Sequence, residues 1–386
     1  METLEETFKS LAIARRLQPS EATYILDAAA QPGGGPLVAV SCSNRALRLH
    51  QCETLALQGE FKGHTGTLCG VRFGHASPDT LYSGSADGTL RCWDARRPGS
   101  EATRVFRSEP GHAFCSMDIS SNDVVLCAGT EQVGEDSFLV FWDARMATGA
   151  SGKQQGLLGV YSESHSDDIT TVRFHPRQAD RLASGGTDGL VNVFELNLGG
   201  EEDALVTTCN CDSSAGSICW AGVGGEQLLC VTHDEGLYLW DVRQTDSDDP
   251  LTLLSATDAR SLVTLPDGGA LEYFVGGAWL EEAGQLLVVG GASQGELHLL
   301  DCSEKGLRPV RSLAGGHSAT VRCFLWQPEG GGLLTGGEDG QLLQWRPGAT
   351  ELQGGRKETL KSTSSMQLKA RAHRKHHSKS SHSQLT

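Results

Sequence analysis

The stretch Gly63–Arg96, GHTGTLCGVRFGHASPDTLYSGSADGTLRCWDAR, decides the fold of this chain. It contains three strand-like runs, Leu68–Phe73, Thr80–Ser85 and Leu90–Trp93. The last two flank Asp87-Gly88, and an Asp-Gly pair between two strands predicts a tight hairpin because glycine tolerates a positive φ. The unit is an antiparallel meander with apolar side chains on both faces. It therefore needs a similar neighbour on each side to bury them.

The same pattern recurs along most of the chain. Four times, a histidine is followed 28 to 30 residues later by an aromatic residue, at His64 to Trp93, His112 to Trp142, His165 to Phe194 and His317 to Trp345. Fainter copies end at Trp240 and at Leu300, and the first copy, which begins near Tyr24, lacks a Trp-Asp ending. Regular spacing of this kind is typical of repeat architectures.

The Gly-His pair, the Ser-Gly-Ser-x-Asp-Gly segment and the Trp-Asp ending together resemble the WD-repeat family, whose blades are four-stranded sheets around a central channel. The resemblance covers nearly all of the chain before residue 350, and it implies an all-β, seven-bladed β-propeller. In that family a His, a Ser or Thr, an Asp and a Trp of one blade form a buried hydrogen-bonded tetrad. The resemblance implies this structural role for His64, Ser83, Asp87 and Trp93, for His165, Ser184 and Asp188, and for His317, Thr335, Asp339 and Trp345.

The last blade is short of one strand. No apolar run suited to a fourth strand follows Trp345, whereas Phe8–Leu17 has no other obvious place. We expect this segment to pair with the last blade and close the ring, which removes an open sheet edge. The propeller is predicted to span residues 1–350, and residues 351–386, rich in Ser, His and Lys, are predicted to be a disordered basic tail.

The charge is unevenly distributed. The net charge is −16, but the segment from residue 351 onwards holds eight basic and two acidic residues, which leaves 24 basic and 46 acidic residues before it. An acidic body argues against direct binding of nucleic acid by the propeller. The basic tail favours nuclear or nucleolar residence, with a merely solvated tail as the alternative.

Composition also excludes several classes of protein. The twelve cysteines include no C-x-x-C, which favours free thiols in a reducing compartment and no metal or cofactor. No run of 18 apolar residues occurs, and the amino terminus lacks the basic and apolar regions of a signal peptide. We expect an intracellular monomer without membrane contact.

One stretch imitates an enzyme motif. Residues 291–295 read G-A-S-Q-G and match the G-x-S-x-G of serine hydrolases at Ser293. A nucleophile elbow must join a strand to a helix, whereas this piece is predicted to be the hairpin of the sixth blade. We therefore expect a non-enzymatic protein.

The remaining surface features indicate protein binding. In a propeller, the hairpin between the second and third strands and the connections between blades share one face. That face would present a row of acids able to dock a basic peptide or protein by long-range attraction. The alternative is that acidic turns only maintain solubility. The acids are Glu131, Glu135, Asp136, Asp167, Asp168, Asp234, Glu235 and Glu338.

A second candidate surface is marked by the repeated sequence Trp-Asp-x-Arg, which ends in Arg96, Arg145 and Arg243. In some WD-repeat relatives this motif marks substrate receptors that dock on the adaptor of cullin-4 ubiquitin ligases, and arginine is well suited to bidentate pairing at interfaces. The resemblance therefore implies such an adaptor as a possible partner. The alternative is local, with each arginine pairing with a neighbouring acid.

Overall fold

The computed structural model describes residues 3–18, 21–107, 112–146, 156–243, 250–266 and 268–350. Within them the chain forms seven four-stranded antiparallel sheets in a ring, a seven-bladed β-propeller. The predicted fold class is confirmed. The predicted disordered tail, residues 351–386, lies outside the described residues and stays a prediction.

A short helix and a single strand precede the first blade, and each later blade is a run of consecutive strands. These first elements are α1 (Leu4–Phe8) and β1 (Leu11–Leu17). Blade one is β2 (Ile25–Ala30), β3 (Leu37–Cys42), β4 (Leu47–Gln51) and β5 (Leu57–Phe61). Blade two is β6 (Leu68–Phe73), β7 (Thr80–Ser85), β8 (Thr89–Asp94) and β9 (Arg104–Arg107). Blade three is β10 (Phe114–Ile119), β11 (Val125–Thr130), β12 (Leu139–Asp143) and β13 (Leu157–Tyr161).

The second half of the ring follows the same order. Blade four is β14 (Thr171–Phe174), β15 (Arg181–Gly185), β16 (Leu190–Glu195) and β17 (Leu205–Asn210), with the short helix α2 (Glu201–Ala204) before β17. Blade five is β18 (Ala215–Ala221), β19 (Gln227–Thr232), β20 (Leu237–Asp241) and β21 (Leu251–Ala256). Blade six is β22 (Tyr273–Leu280), β23 (Gln285–Gly291), β24 (Leu297–Ser303) and β25 (Gly306–Leu313). Blade seven has β26 (Val321–Gln327), β27 (Gly332–Gly337) and β28 (Leu342–Pro347).

The ring is closed by the amino-terminal segment. Strand β1 pairs antiparallel with β28, with Ile13 opposite Trp345, and supplies the outer strand of blade seven. The predicted pairing is therefore confirmed, although Phe8 ends α1 and the strand begins at Leu11. Leu4, Phe8 and Leu11 are buried among apolar residues of blades six and seven. The closure thus combines backbone hydrogen bonds with a hydrophobic anchor.

The core lies between neighbouring blades rather than inside them. Among the described residues, seven buried clusters occur, one for each junction between blades. At the junction of blades two and three, for example, Tyr82 and Leu90 pack with Met117 and Trp142. Alternating side chains of each strand point to opposite faces of the sheet. Each blade is therefore apolar on both sides, as the meander Gly63–Arg96 predicts.

Two faces of the ring differ in their loops. The upper face carries the hairpins between second and third strands and the connections from one blade to the next. The lower face carries the other hairpins. Every residue of the predicted acidic row lies in a loop of the upper face, whereas Arg96, Arg145 and Arg243 directly follow third strands and lie on the lower face.

Candidate functional site

The histidine tetrad of blade two is a continuous chain of hydrogen bonds. Trp93 Nε1 donates to Ser83 Oγ over 2.9 Å, and Ser83 Oγ lies 2.8 Å from His64 Nε2. His64 Nδ1 is 3.0 Å from a carboxylate oxygen of Asp87. Because indole can only donate, the serine hydroxyl accepts there and donates to Nε2, which places the imidazole hydrogen on Nδ1 facing Asp87. The imidazole has no free nitrogen for chemistry.

Blades four and seven repeat the arrangement with small changes. His165 Nε2 lies 2.7 Å from Ser184 Oγ, and its Nδ1 lies 3.0 Å from Asp188. Phe194 stands where the tryptophan would be, so this blade has no indole donor.

In blade seven the full set of four is present. His317 Nε2 lies 2.8 Å from Thr335 Oγ1, His317 Nδ1 lies 3.0 Å from Asp339, and Trp345 Nε1 donates to Thr335 Oγ1 over 2.9 Å. All three histidines are buried. Each one ties a connection between blades to the second strand of the blade that follows.

The tetrad carboxylates are held in the ionised form. Burial alone would raise the pKa of Asp339, but hydrogen bonds from His317 and from the backbone N–H groups of Ser318 and Gln341 outweigh it and lower that pKa to about 2. The pKa of Asp87 is lowered for the same balance of reasons. Burial lowers the pKa of His64, despite the opposing effect of Asp87. His64 and Asp87 therefore form a hydrogen bond between a neutral imidazole and a carboxylate, which suits a structural role.

Blade five contains a thiol version of the tetrad that residue type alone does not reveal. The spacing from His64 to Ser83, Asp87 and Trp93 is reproduced by four residues of this blade, Cys211, Cys230, Asp234 and Trp240. Both thiols are fully buried, and the Cys211 sulfur lies 3.0 Å from the carbonyl oxygen of Gly189 and 2.9 Å from that of Ser213. The neighbouring Cys211, together with burial, raises the pKa of Cys230 well above its usual range. Register within the repeat, rather than a search for histidine, would have found this set.

The acidic residues of blades three to five form a continuous surface on the upper face. Glu131, Glu135 and Asp136 are exposed in the long hairpin between β11 and β12. Asp168, on the following connection, accepts a hydrogen bond from the backbone N–H of Gln132 over 2.7 Å. The neighbouring Asp167 accepts one from the backbone N–H of Asp168. The insert in blade three is thus held against the next connection by a carboxylate.

The remaining three acids of the row have local partners. Asp234 accepts a hydrogen bond from Ser213 Oγ over 2.6 Å, and Glu235 accepts one from the backbone N–H of Phe274 over 2.6 Å. Burial raises the pKa of Glu235. Glu338 lies apart on blade seven and pairs with Arg322, whose Nε is 2.8 Å from Glu338 Oε1. Glu338 is therefore not continuous with the other seven, which we call the acidic arc.

Each Trp-Asp-x-Arg arginine pairs with the aspartate two residues before it. Arg96 holds Asp94 through Nε and Nη2 at 2.9 and 3.0 Å, and Arg145 holds Asp143 at 2.9 and 2.8 Å. Arg243 contacts Asp241 in the same manner. These arginine side chains remain 68%, 65% and 66% exposed. They are exposed cations, each with some of its N–H donors already bonded to an aspartate.

The G-x-S-x-G match has no catalytic geometry. Ser293 lies in the hairpin between β23 and β24, and its backbone N–H donates to Glu272 over 2.7 Å. This hairpin joins two strands and not a strand to a helix. All twelve cysteines are free thiols. Within the described ranges, no three His, Cys, Asp or Glu side chains come together as a metal site, and no helix is long and apolar enough to cross a membrane.

Seven four-stranded sheets, two complete histidine tetrads with a third that lacks its indole, and a ring closed by the amino-terminal strand define a WD-repeat β-propeller, and the chain belongs to the WD-repeat family. The family described as WD domain, G-beta repeat matches residues 55–94, 156–195 and 307–346. WD-repeat propellers are in general non-enzymatic scaffolds that bind other proteins.

Two relatives match along most of their length. WD repeat-containing protein GTS1 of Arabidopsis thaliana is 31% identical over 80% of this chain and 78% of its own. The WD repeat-containing protein 89 homolog of Dictyostelium discoideum is 24% identical over 83% of this chain and 82% of its own, a similarity that the sequences of blades three to seven also indicate. A shorter match, 26% identical over 48% of this chain and 22% of the relative, is to the human GATOR2 complex protein WDR24.

Proposed function

We propose that the protein is a non-enzymatic, monomeric scaffold that docks a basic segment of a partner protein on its acidic arc. The observation that carries the proposal is the sign of the charge on three consecutive blades. The upper loops 131–138, 162–168, 186–189, 211–214 and 233–236 contain the arc and hold no lysine or arginine. A surface of one sign attracts the opposite sign over a Debye length of about 8–10 Å.

The blade-three insert provides the accessible part of this arc. Glu131, Glu135 and Asp136 are exposed and have no ion-pair partner among the described residues. Burial, with a smaller contribution from Asp168 and Glu131, raises the pKa of the nearby Cys115 thiol to about 12. An acidic surface also favours protein over nucleic acid as the partner. The name of the human relative, a complex protein, supports a role in assembly.

Charge reversal on the insert tests the proposal. The variant Glu131→Lys, Glu135→Lys and Asp136→Lys should lose partners that the parent protein retains in a pull-down at low salt. The matched control reverses three exposed acids of lower-face loops, Glu53, Glu282 and Glu304, with the same change in net charge.

Binding of the parent should weaken several-fold between about 50 and 300 mM salt, because screening shortens the range of the attraction. An unchanged set of partners for the insert variant, or equal losses for both variants, would show that the arc only maintains solubility.

A second candidate function is substrate reception for a cullin-4 ubiquitin ligase. It is favoured by the exposure of Arg96 and Arg145 on adjacent blades. Changing both to Ala should abolish co-purification of the ligase adaptor, while Arg177→Ala, an exposed lower-face arginine outside the motif, should retain it. Adaptor recovery that does not depend on Arg96, Arg145 or Arg243, or no recovery with the parent, contradicts this role.

We also propose nuclear or nucleolar residence, supported by the basic residues after position 351. A fluorescent fusion of the full chain should concentrate in the nucleus, and a fusion ending at residue 350 should not. Equal distribution of both would assign the tail to solubility alone.

A further inference from the structure

The central channel is lined by three arginine residues, two of which have carboxylate partners. A cavity of about 640 Å³ runs between the innermost strands of the blades. Its lining contains Arg72, Arg173 and Arg322, but Asp27 is its only carboxylate among the described residues. Arg322 is paired with Glu338, whose Oε1 lies 2.8 Å from the arginine Nε.

Arg72 is also paired, with two carboxylates. Its Nη1 donates to Asp27 over 2.8 Å and its Nε donates to Asp118 over 3.0 Å. Asp118 is itself buried and accepts a further hydrogen bond from the backbone N–H of Phe174. Both nearby carboxylates raise the pKa of Arg72 despite its burial. The carboxylates of Asp27 and Asp118 are thus both paired with the guanidinium of Arg72.

Arg173 lies on β14, the innermost strand of blade four, and has no carboxylate partner of this kind among the described residues. Its Nη1 donates over 3.1 Å to the carbonyl oxygen of Val172, its own chain neighbour. No carboxylate of the described residues lies within ion-pair distance of it. Burial and the charge of Arg72 lower the pKa of Arg173, and the opposing effect of Asp118 and Asp27 does not offset them. A guanidinium offers five N–H donors, and those left without an acceptor in a confined space favour an added anion.

A second donor lies in the same wall. The indole Nε1 of Trp279 is buried and has no hydrogen-bond partner. Cys219 connects the two positions, because its thiol contacts the backbone N–H of Trp279 and experiences the charge of Arg173. A smaller adjoining cavity of about 340 Å³ also reaches Arg72 and Arg173. Arg173 and Trp279 therefore both line a space whose size is typical of ligand pockets.

We propose that the channel binds a small anion, carrying a carboxylate or phosphate group, that pairs with Arg173 between the innermost strands. Planar two-oxygen anions match the guanidinium fork, and such pairs are among the stronger charged hydrogen bonds. The site is independent of the acidic arc, which lies on the loops above, so either proposal can fail without the other.

Calorimetry and thermal unfolding on the full chain test the site. The probes are succinate, inorganic phosphate and pyrophosphate, each at constant ionic strength with sodium chloride as the reference. We expect at least one probe to bind the parent protein with a sub-millimolar Kd and raise its Tm, and the comparison among probes assigns the class of anion. Arg173→Met should weaken that binding at least tenfold, whereas Arg173→Lys should weaken it less.

The control is Arg45→Met, which removes one upper-face arginine outside the channel lining. It should leave anion binding unchanged. Hydrogen exchange of the parent provides a readout that needs no variant, since a bound anion should slow exchange in β14 rather than in outer strands. The proposal is overturned if no probe binds more tightly than chloride, if Arg173→Met binds as well as the parent, or if protection falls only on outer strands.

Discussion

Replacing Ser83 by Ala should lower the free energy of unfolding more than most single changes in blade two. The Ser83 hydroxyl is fully buried and joins two rings, accepting from Trp93 at 2.9 Å and meeting His64 at 2.8 Å. Removal leaves an indole N–H and an imidazole nitrogen without partners in a dry site. At about 1–3 kcal/mol for each of these two unsatisfied buried groups, the expected loss is about 2–6 kcal/mol of unfolding free energy.

Ser85→Ala is the matched control for this change. Ser85 lies two residues further along β7 and is equally buried, but its hydroxyl accepts one hydrogen bond, from the backbone N–H of Asp87 over 3.1 Å. We expect a loss of about 1 kcal/mol there. Urea denaturation followed by tryptophan fluorescence measures both values. If Ser83→Ala lowers the free energy of unfolding no more than Ser85→Ala does, the tetrad does not stabilise the blade and the buried histidines need another explanation.

Three further outcomes are expected. Deletion of residues 1–18 should lower the Tm by well over 10 °C, since it removes the outer strand of blade seven and the buried Leu4 and Phe8; an unchanged Tm in calorimetry would contradict the closure. The lowered pKa of Asp339 stabilises the fold above about pH 4 and this contribution disappears as the pH falls towards 2, so Asp339→Asn should flatten the acid limb of a stability profile, and an unaltered limb would count against it. An active-site serine probe should leave Ser293 unlabelled, and labelling detected by mass spectrometry would reopen the hydrolase reading.

The fold could be predicted from the sequence because its signals are local. A hairpin, a tetrad and a Trp-Asp ending all lie within about 30 residues, so spacing alone reveals them. The closure by β1 was also predictable, because a blade that ends at Pro347 leaves one strand to be supplied from elsewhere. Phe8–Leu17 was the apolar segment not already assigned to a blade, so it was the candidate for that strand.

The candidate sites were harder to predict because they depend on contacts between blades. Nothing in the sequence shows that Glu235 is held by the backbone of Phe274, or that Glu338 meets Arg322. The channel charges come from separate repeats, and Asp27 reaches Arg72 only because β2 and β6 are neighbours in the ring. Charge counts along the chain could indicate an acidic protein, but not that Arg173 lines the channel without a carboxylate of the described residues in ion-pair distance.

The thiol set of blade five was missed for a different reason. Blade five has no histidine at the tetrad position, so residue type alone does not indicate a tetrad there. The spacing of Cys211, Cys230 and Trp240 nevertheless follows the repeat. Position within the repeat carries the structural role even when the chemistry changes. The same comparison explains why Asp234, first assigned to a binding surface, also occupies the place of Asp87.

The pairing of β1 with β28 has a consequence for how the protein is made. A ribosome delivers Leu11–Leu17 first and Leu342–Pro347 more than 300 residues later, yet the two lie side by side in the finished molecule. During synthesis β1 therefore has no pairing strand, and Phe8 stays uncovered, until β28 has been made. A nascent chain stalled before Leu342 should therefore attract chaperones and remain sensitive to proteases, however many blades have already been assembled.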